Sequence, residues 1–247
     1  MRAAFALACA LAAAGWWPAA GRADAVVADL SSHLVAITTG FTGASVVLFG
    51  ATDGPGDVIA VVRGPDRPVT VWRKSEIAGI WANTDSMSFA RVPSFYAVSA
   101  SRSLGEALRP GVAALYRIGV ENLKFEPLPP ADPDRVAAFS QALIDTQRRA
   151  GLFSAAVGKV TFLGERLFRA ALDFPANVPT GTYLVEVFLV RERDVVGGQT
   201  TPLSVSKVGV DAAVYEFALA EPAIYGLIAV VTAMMAGWLA SLPFRRL

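Results

Sequence analysis

Residues Ala223–Leu242 form a run of 20 without a charge, and this constrains the chain more than any other feature of its sequence. At 1.5 Å per residue a helix of that length measures about 30 Å, the thickness of a bilayer's hydrocarbon core. Pro222 marks its entrance, Tyr225 and Trp238 stand near the two ends where amphipathic rings favour the interface, and Arg245 and Arg246 follow Pro243 and Phe244. The run predicts a transmembrane helix in contact with the lipid bilayer over residues 223–242. The arginines put the tail, 243–247, in the cytoplasm. A core helix this apolar would need a larger protein wrapped around it.

Near the N-terminus, Arg2 precedes an alanine-rich run, Ala3–Ala14, and Ala23, Asp24 and Ala25 put small residues where a signal peptidase reads. A signal peptide over residues 1–25, cleaved after Ala25, is expected. Alanine has little membrane affinity and Pro18 interrupts the stretch, which argues against a retained anchor. Export followed by a stop predicts a single-pass protein of the inner membrane, its ectodomain periplasmic and its C-terminus cytoplasmic.

Between those ends, residues 26–221 carry 18 Lys and Arg against 20 Asp and Glu. So balanced a surface implies no nucleic-acid partner. The single cysteine, Cys9, leaves with the signal peptide, so thiolate zinc sites are excluded and stability must come from packing. The single histidine, His33, lies in an alternating stretch with no Gly-x-Ser-x-Gly elbow to accompany it. Phosphate loops, dinucleotide fingerprints and paired-histidine motifs are missing as well. Asp53-Gly54-Pro55-Gly56-Asp57 has too few oxygens for a calcium shell and reads as a turn. No catalytic residue, metal ligand or cofactor site is assigned.

Short β-type runs broken by Gly, Pro and Asp fill residues 26–102: His33–Thr38, Ala44–Gly50, Asp57–Arg63, Pro68–Arg73, Ser86–Arg91 and Phe95–Ala100. Residues 103–152 read as a helical segment. Within it Asp132 caps a helix, Pro133 suits its first turn, and Val136, Phe139, Ala142 and Leu143 form the stripe that packs on the β-domain. A second β region, 153–208, holds Ala155–Leu163, Arg166–Phe174, Thr182–Arg191 and Val195–Val205. Gly164-Glu165 fits a two-residue hairpin, Glu192–Asp194 a tight turn, and Gly197-Gly198 a bulge. Residues 209–222 precede the span. The Pro179-Thr180-Gly181-Thr182-Tyr183 entrance matches immunoglobulin-like sandwiches, where such a tyrosine ties strand to corner. The expected fold is therefore mainly β, an immunoglobulin-like sandwich with an inserted helical segment and one C-terminal transmembrane helix.

Phe41-Thr42-Gly43-Ala44, Val62-Arg63-Gly64-Pro65, Ala78-Gly79-Ile80-Trp81, Pro93-Ser94-Phe95-Tyr96 and Pro175-Ala176-Asn177-Val178-Pro179 occur in that order, before Gly237-Trp238-Leu239-Ala240 and Phe244-Arg245-Arg246. In these segments the chain resembles an alphaproteobacterial transmembrane-protein family of unknown function. The resemblance implies a signal peptide, one C-terminal span and, as partner, an integral membrane protein such as a permease. It supplies no site residues.

Trp72-Arg73-Lys74, Ile80-Trp81-Ala82-Asn83 and Arg91–Tyr96 concentrate aromatics and cations. Arg73, Lys74, Trp81, Arg91 and Tyr96 form a candidate partner-binding patch if they share a surface, because aromatics and arginine dominate interface hot spots. The competing reading puts Trp72, Trp81, Phe95 and Tyr96 in the core. A tethered, non-enzymatic accessory subunit of a membrane complex is the expected function. The alternative is a tethered hydrolase or acid/base enzyme using carboxylates such as Glu192 and Asp194.

Overall fold

The computed structural model describes residues 25–77 and 79–241. The expected signal peptide up to residue 24, with Cys9, and the basic tail lie outside the described residues. Twelve strands occur among them: β1 (Val26–Leu30), β2 (Leu34–Ile37), β3 (Gly43–Thr52), β4 (Asp57–Arg63), β5 (Asp66–Ile77), β6 (Ile80–Pro93), β7 (Tyr96–Ala100), β8 (Pro127–Leu128), β9 (Gly158–Leu163), β10 (Leu167–Pro175), β11 (Gly181–Arg191) and β12 (Asp194–Lys207). Helices α1 (Leu104–Ala107), α2 (Pro110–Tyr116) and α3 (Pro133–Arg149) lie between β7 and β9, and α4 (Val210–Ala220) and α5 (Pro222–Ser241) follow β12.

Nine strands form one sheet in the order β1-β3-β10-β9-β7-β4-β11-β12-β2. Strict in-out alternation drives the curl of this sheet. In β10, for example, Phe168, Ala170, Leu172 and Phe174 are buried while Leu167, Arg169, Ala171 and Asp173 are exposed. The inward residues of β1, β3 and β10 meet Val58, Ala60 and Val62 of β4 and Tyr183, Val185, Val187 and Leu189 of β11 in one core. The chain is mainly β, as expected, and the inward faces of these strands share one core. The strands belong to one continuous sheet rather than two, because β7 and β9 share a short parallel pairing, Ser99 with Gly158 and Ala100 with Lys159. Across the opposite seam the Gln199 amide accepts from the Ala28 N–H and donates to the Ala28 carbonyl, both at 2.8 Å, so a β12 side chain completes the ladder of β1.

A second core covers the outer face of β4, β7 and β11. Ile59, Val61, Val98, Phe188 and Val190 point outward there and are buried beneath Ala107, Leu108, Ile118, Phe139 and Leu143 of the helical segment. This is why β4 reads as an unbroken apolar run, Val58–Val62: it is covered on both faces. Helix α3 forms where expected. The Asp132 carboxylate accepts from the N–H groups of Asp134 and Arg135, Pro133 takes the first position, and Phe139, Leu143 and Ile144 are buried.

The turns follow residue chemistry with two adjustments. Gly164 adopts φ +80° in a connection of three residues, since Leu163 pairs with Leu167. Glu192 and Arg193 make a two-residue turn between paired Arg191 and Asp194, and both take positive φ as a twisted hairpin requires. Arg193 is held there by donating to the carbonyls of Gly105 and Leu108. The bulge falls where β12 slips register, between the Leu189–Gly197 and Val190–Val195 pairs. His33 lies just ahead of β2 and bonds Asp29 at 2.9 Å.

Helix α5 is uncharged over Pro222–Ser241 and joins α4 at a break in the chain at Glu221, where φ is −133° and ψ 64°. Phe217 and Tyr225 stack edge-on across the break, 6.5 Å between ring centres. Among the described residues no helix is long and apolar enough to cross a membrane. The described side chains of α5 end at Trp238, with its backbone continuing to Ser241.

Candidate partner-binding hairpin

Strands β5 and β6 leave the curled sheet as a long hairpin, with β8 alongside β6 in a separate three-stranded sheet. Its root is built at Gly64, whose N–H donates to the Phe95 carbonyl and where a Cβ would come within 2.6 Å of the Ser94 hydroxyl. Arg67 fastens the root to the main sheet by donating to the Thr180 carbonyl at 2.7 Å. Near the root the inward residues Met87, Phe89 and Val92 are buried in the second core. Further out, Asp85 pairs with Arg135 of α3, whose hydrogen bond holds the Asp85 carboxyl below the usual carboxylate range.

Beyond that contact the hairpin stands free. Trp72 is 57% exposed, Ile77 56%, Ile80 71% and Trp81 68%. Ile77, Ile80 and Trp81 sit together near the turn, while Trp72, which pairs with Ser86, lies five residues before Ile77 on the root side of the Asp85 contact. Register assigns their faces. Trp72 pairs with Ser86, Lys74 with Asn83 and Glu76 with Trp81, so Trp72, Lys74, Glu76 and Trp81 share one face. Arg73, Ile77 and Ile80 occupy the other. A register shift between Arg73 and Lys74 accommodates Thr84 as the extra residue, and Ser75 and Thr84 join hydroxyls there at 2.9 Å.

The five residues named from sequence therefore separate. Lys74 and Trp81 come together at the free end. Arg73 is exposed but faces α3, its guanidinium carbon 5.1 Å from the centre of the Phe139 ring. Arg91 lies ten residues from Trp81 along β6, roughly 33 Å in an extended strand. It makes a two-pronged bond to Glu126, both contacts 2.8 Å, which raises its pKa. Tyr96 is buried completely. Its hydroxyl donates to the Arg117 carbonyl and accepts from the Gly119 N–H, each at 2.9 Å. Those bonds, with Arg63 donating to the carbonyls of Tyr116 and Arg117, fix the corner after α2 where Arg117 and Gly119 have positive φ. Burial drives the Tyr96 phenol up to about 12. Trp72, which alternation places opposite the valines of β5, completes the exposed surface in its stead. Trp72 and Trp81 are thus outside the core, whereas Phe95 and Tyr96 are within it.

Several carboxylates are engaged by cations, Asp194 among them. Asp53 pairs with Arg191, which also donates to the Pro55 carbonyl, and Asp194 pairs with Arg109. Asp57 accepts from Ser101 at 2.9 Å and lies 3.5 Å from Arg102. Glu186 pairs with Arg63. Among the described residues no three His, Cys, Asp or Glu converge in a way that would hold a metal ion.

The fold defines a mainly β domain with a curled sheet, a projecting aromatic hairpin and an uncharged terminal helix. The chain belongs to the family described as "Putative transmembrane protein (Alph_Pro_TM)", whose model matches residues 25–246. The family's function is unknown. No curated protein matches the chain.

Proposed function

We propose that this chain is a non-enzymatic accessory subunit of a membrane complex. In this reading an immunoglobulin-like sandwich is held on the periplasmic side of the inner membrane by α5, and the β5–β6 arm recognises an integral membrane partner such as a permease. The observation that carries the reading is the exposed face of the arm that Trp72, Lys74, Glu76 and Trp81 share, next to Ile77 and Ile80. Two indoles and a cation on one rigid hairpin supply what interface hot spots use, at small cost in side-chain entropy. Arg73 and Arg91 then act as supports, through Phe139 and Glu126, and Tyr96 holds the corner beneath.

Strand order supports the immunoglobulin-like assignment. The sequence β1-β3-β10-β9 follows the A-B-E-D order of one immunoglobulin layer, and β4-β11-β12 follows C-F-G in the other. Tyr183 near the start of β11 donates to the Pro179 carbonyl at 2.5 Å, the corner contact expected at that strand. The span is supported by the uncharged run Ala223–Leu242 in the sequence and by the family's description. Strand directions add that the arm is rooted where the chain leaves for α4. Arg63 pairs with Leu184 and Gly181 with Val205, so the root and the exit from β12 share one end of the sheet.

A photoreactive residue in place of Trp81, with one in place of Glu165 as control, tests the reading in native membranes. An integral membrane protein captured through position 81 and missing from position 165 is expected. Recovery of this chain alone from both positions contradicts it.

A further inference from the structure

The outer face of β1, β3, β10 and β9 is uncovered by the helical segment, and its side chains form an ordered grid. One cross-strand row reads Val27, Ala51, Leu167, Leu163, and the next reads Asp29, Phe49, Arg169. Val27, Phe49, Leu163 and Leu167 are all exposed and line an apolar depression of about 470 Å³. Two charges on this face lie symmetrically about β3, Asp29 one strand to one side of Phe49 and Arg169 one strand to the other, while Lys159 of β9 and Asp173 of β10, which pairs with Ser45, are exposed further along. Asp29 Oδ1 accepts from the Leu30 N–H at 2.8 Å and bonds His33 at 2.9 Å, and Arg169 has no ion-pair partner among the described residues.

We propose that this face is the contact surface of a homodimer whose two-fold axis runs along β3. Such an axis, lying between two facing sheets, exchanges the β1 side with the β10 side. Phe49 then meets Phe49 of the partner subunit, Val27 meets Leu167 of the partner subunit, and Asp29 meets Arg169 of the partner subunit, with each off-axis pair repeated by symmetry. The surface is therefore self-complementary in both charge and apolar content. The axis also keeps the strands of both copies pointing the same way. Gly43 pairs with Pro175 at the end of the sheet from which β12 leads into α4, so both copies send their terminal helices in one direction. Two copies anchored in a single bilayer satisfy this arrangement, whereas an axis across the strands would send the helices in opposite directions. That clause about the bilayer rests on the proposed span. The complementarity of the face does not.

The test uses the full chain with Cys9→Ser, in native membranes and in detergent. Ala51→Cys, on the axis, is joined to its partner copy by a bis-maleimide that reaches the roughly 10 Å between packed sheets, while Glu165→Cys is not. Adding Asp29→Arg or Arg169→Asp alone reduces the Ala51→Cys crosslink roughly tenfold, and combining the two restores it, as expected of a contacting charge pair. Asp29, Glu165 and Arg169 are exposed and Ala51 is half-buried, where a cysteine adds one sulfur atom. Equal crosslinking at positions 51 and 165, capture of a different protein at position 51, or failure of the charge swap to restore the crosslink would overturn the proposal. Alkaline extraction of the same membranes reads the anchor separately. A released chain that still crosslinks supports the dimer and counts against the span, whereas a retained chain that does not crosslink overturns the dimer alone.

Discussion

Tyr183 and Tyr96 both place their rings in the interior and direct their hydroxyls to backbone groups, Tyr183 to Pro179 and Tyr96 to Arg117 and Gly119. Removing one such hydroxyl forfeits about 0.5–1.5 kcal/mol, and leaving a buried partner unpaired costs about 1–3 kcal/mol. Tyr96→Phe, which strands a buried N–H, is expected to lower stability more than Tyr183→Phe when both are unfolded by urea in detergent. Burial raises both phenols to about 12 from an ordinary value of 10.0. With a folded pKa above the unfolded one, the native state keeps its protons longer as pH rises. Stability is therefore unaffected below about pH 10 and falls between 10 and 12. Absorbance titration should find two tyrosines ionising together with unfolding, and Tyr96→Phe should flatten part of that fall. The role of Tyr183 was legible in its Pro-x-Gly-x-Tyr setting. That of Tyr96 was not, because β7 is covered on both faces and alternation no longer separates inside from outside.

Two elements of similar length behave in opposite ways because one is covered and the other is not. Helix α3 buries Phe139 and Leu143, and its cap, first-turn proline and stripe are all written locally, so its position could be read from residues 132–149. Phe139→Ala removes a buried ring on which Arg73 and Arg135 rest and is expected to cost about 3–5 kcal/mol, loosening the hairpin from α3. The outer half of the hairpin could not be read so far. Past Arg73 the inward positions face no core, and the extra residue Thr84 changes the alternation of β6, so Lys74–Ile77 and Ile80–Asp85 carry no apolar period. Aromatic residues in strands are more often buried, which is why Trp72 and Trp81 pointed toward the core in sequence and stand outside it in the fold. Trp81→Ser should shift the unfolding midpoint by no more than about 0.5 kcal/mol, as a surface change does, while abolishing capture of a membrane partner. A comparable loss of stability for Trp81→Ser and Phe139→Ala would mean that the hairpin tip is packed.

At the scale of the whole molecule, the mainly β character was predictable from short alternating runs, but the continuity of the strands as one curled sheet was not. It depends on a two-residue parallel contact between β7 and β9 and on the Gln199 amide across the β1–β12 seam, neither of which has a local signature. Strand β1 escaped notice for a related reason: Val26–Leu30 follows the expected cleavage point directly, with no turn residue to announce it. Gln199→Leu leaves both polar groups of Ala28 without their side-chain partner, so amide exchange in Val26–Leu30 is expected to accelerate while that of β4 and β11 is unchanged. The terminal helix ties the domain's geometry to its proposed role, since the hairpin root and the chain's exit lie at one end of the sheet. Alkaline extraction of membranes carrying the full chain, beside a chain ending at Glu221, tests that anchor most directly. Retention of the full chain in the membrane pellet with release of the shorter one is the predicted result, and release of both would contradict a span through α5.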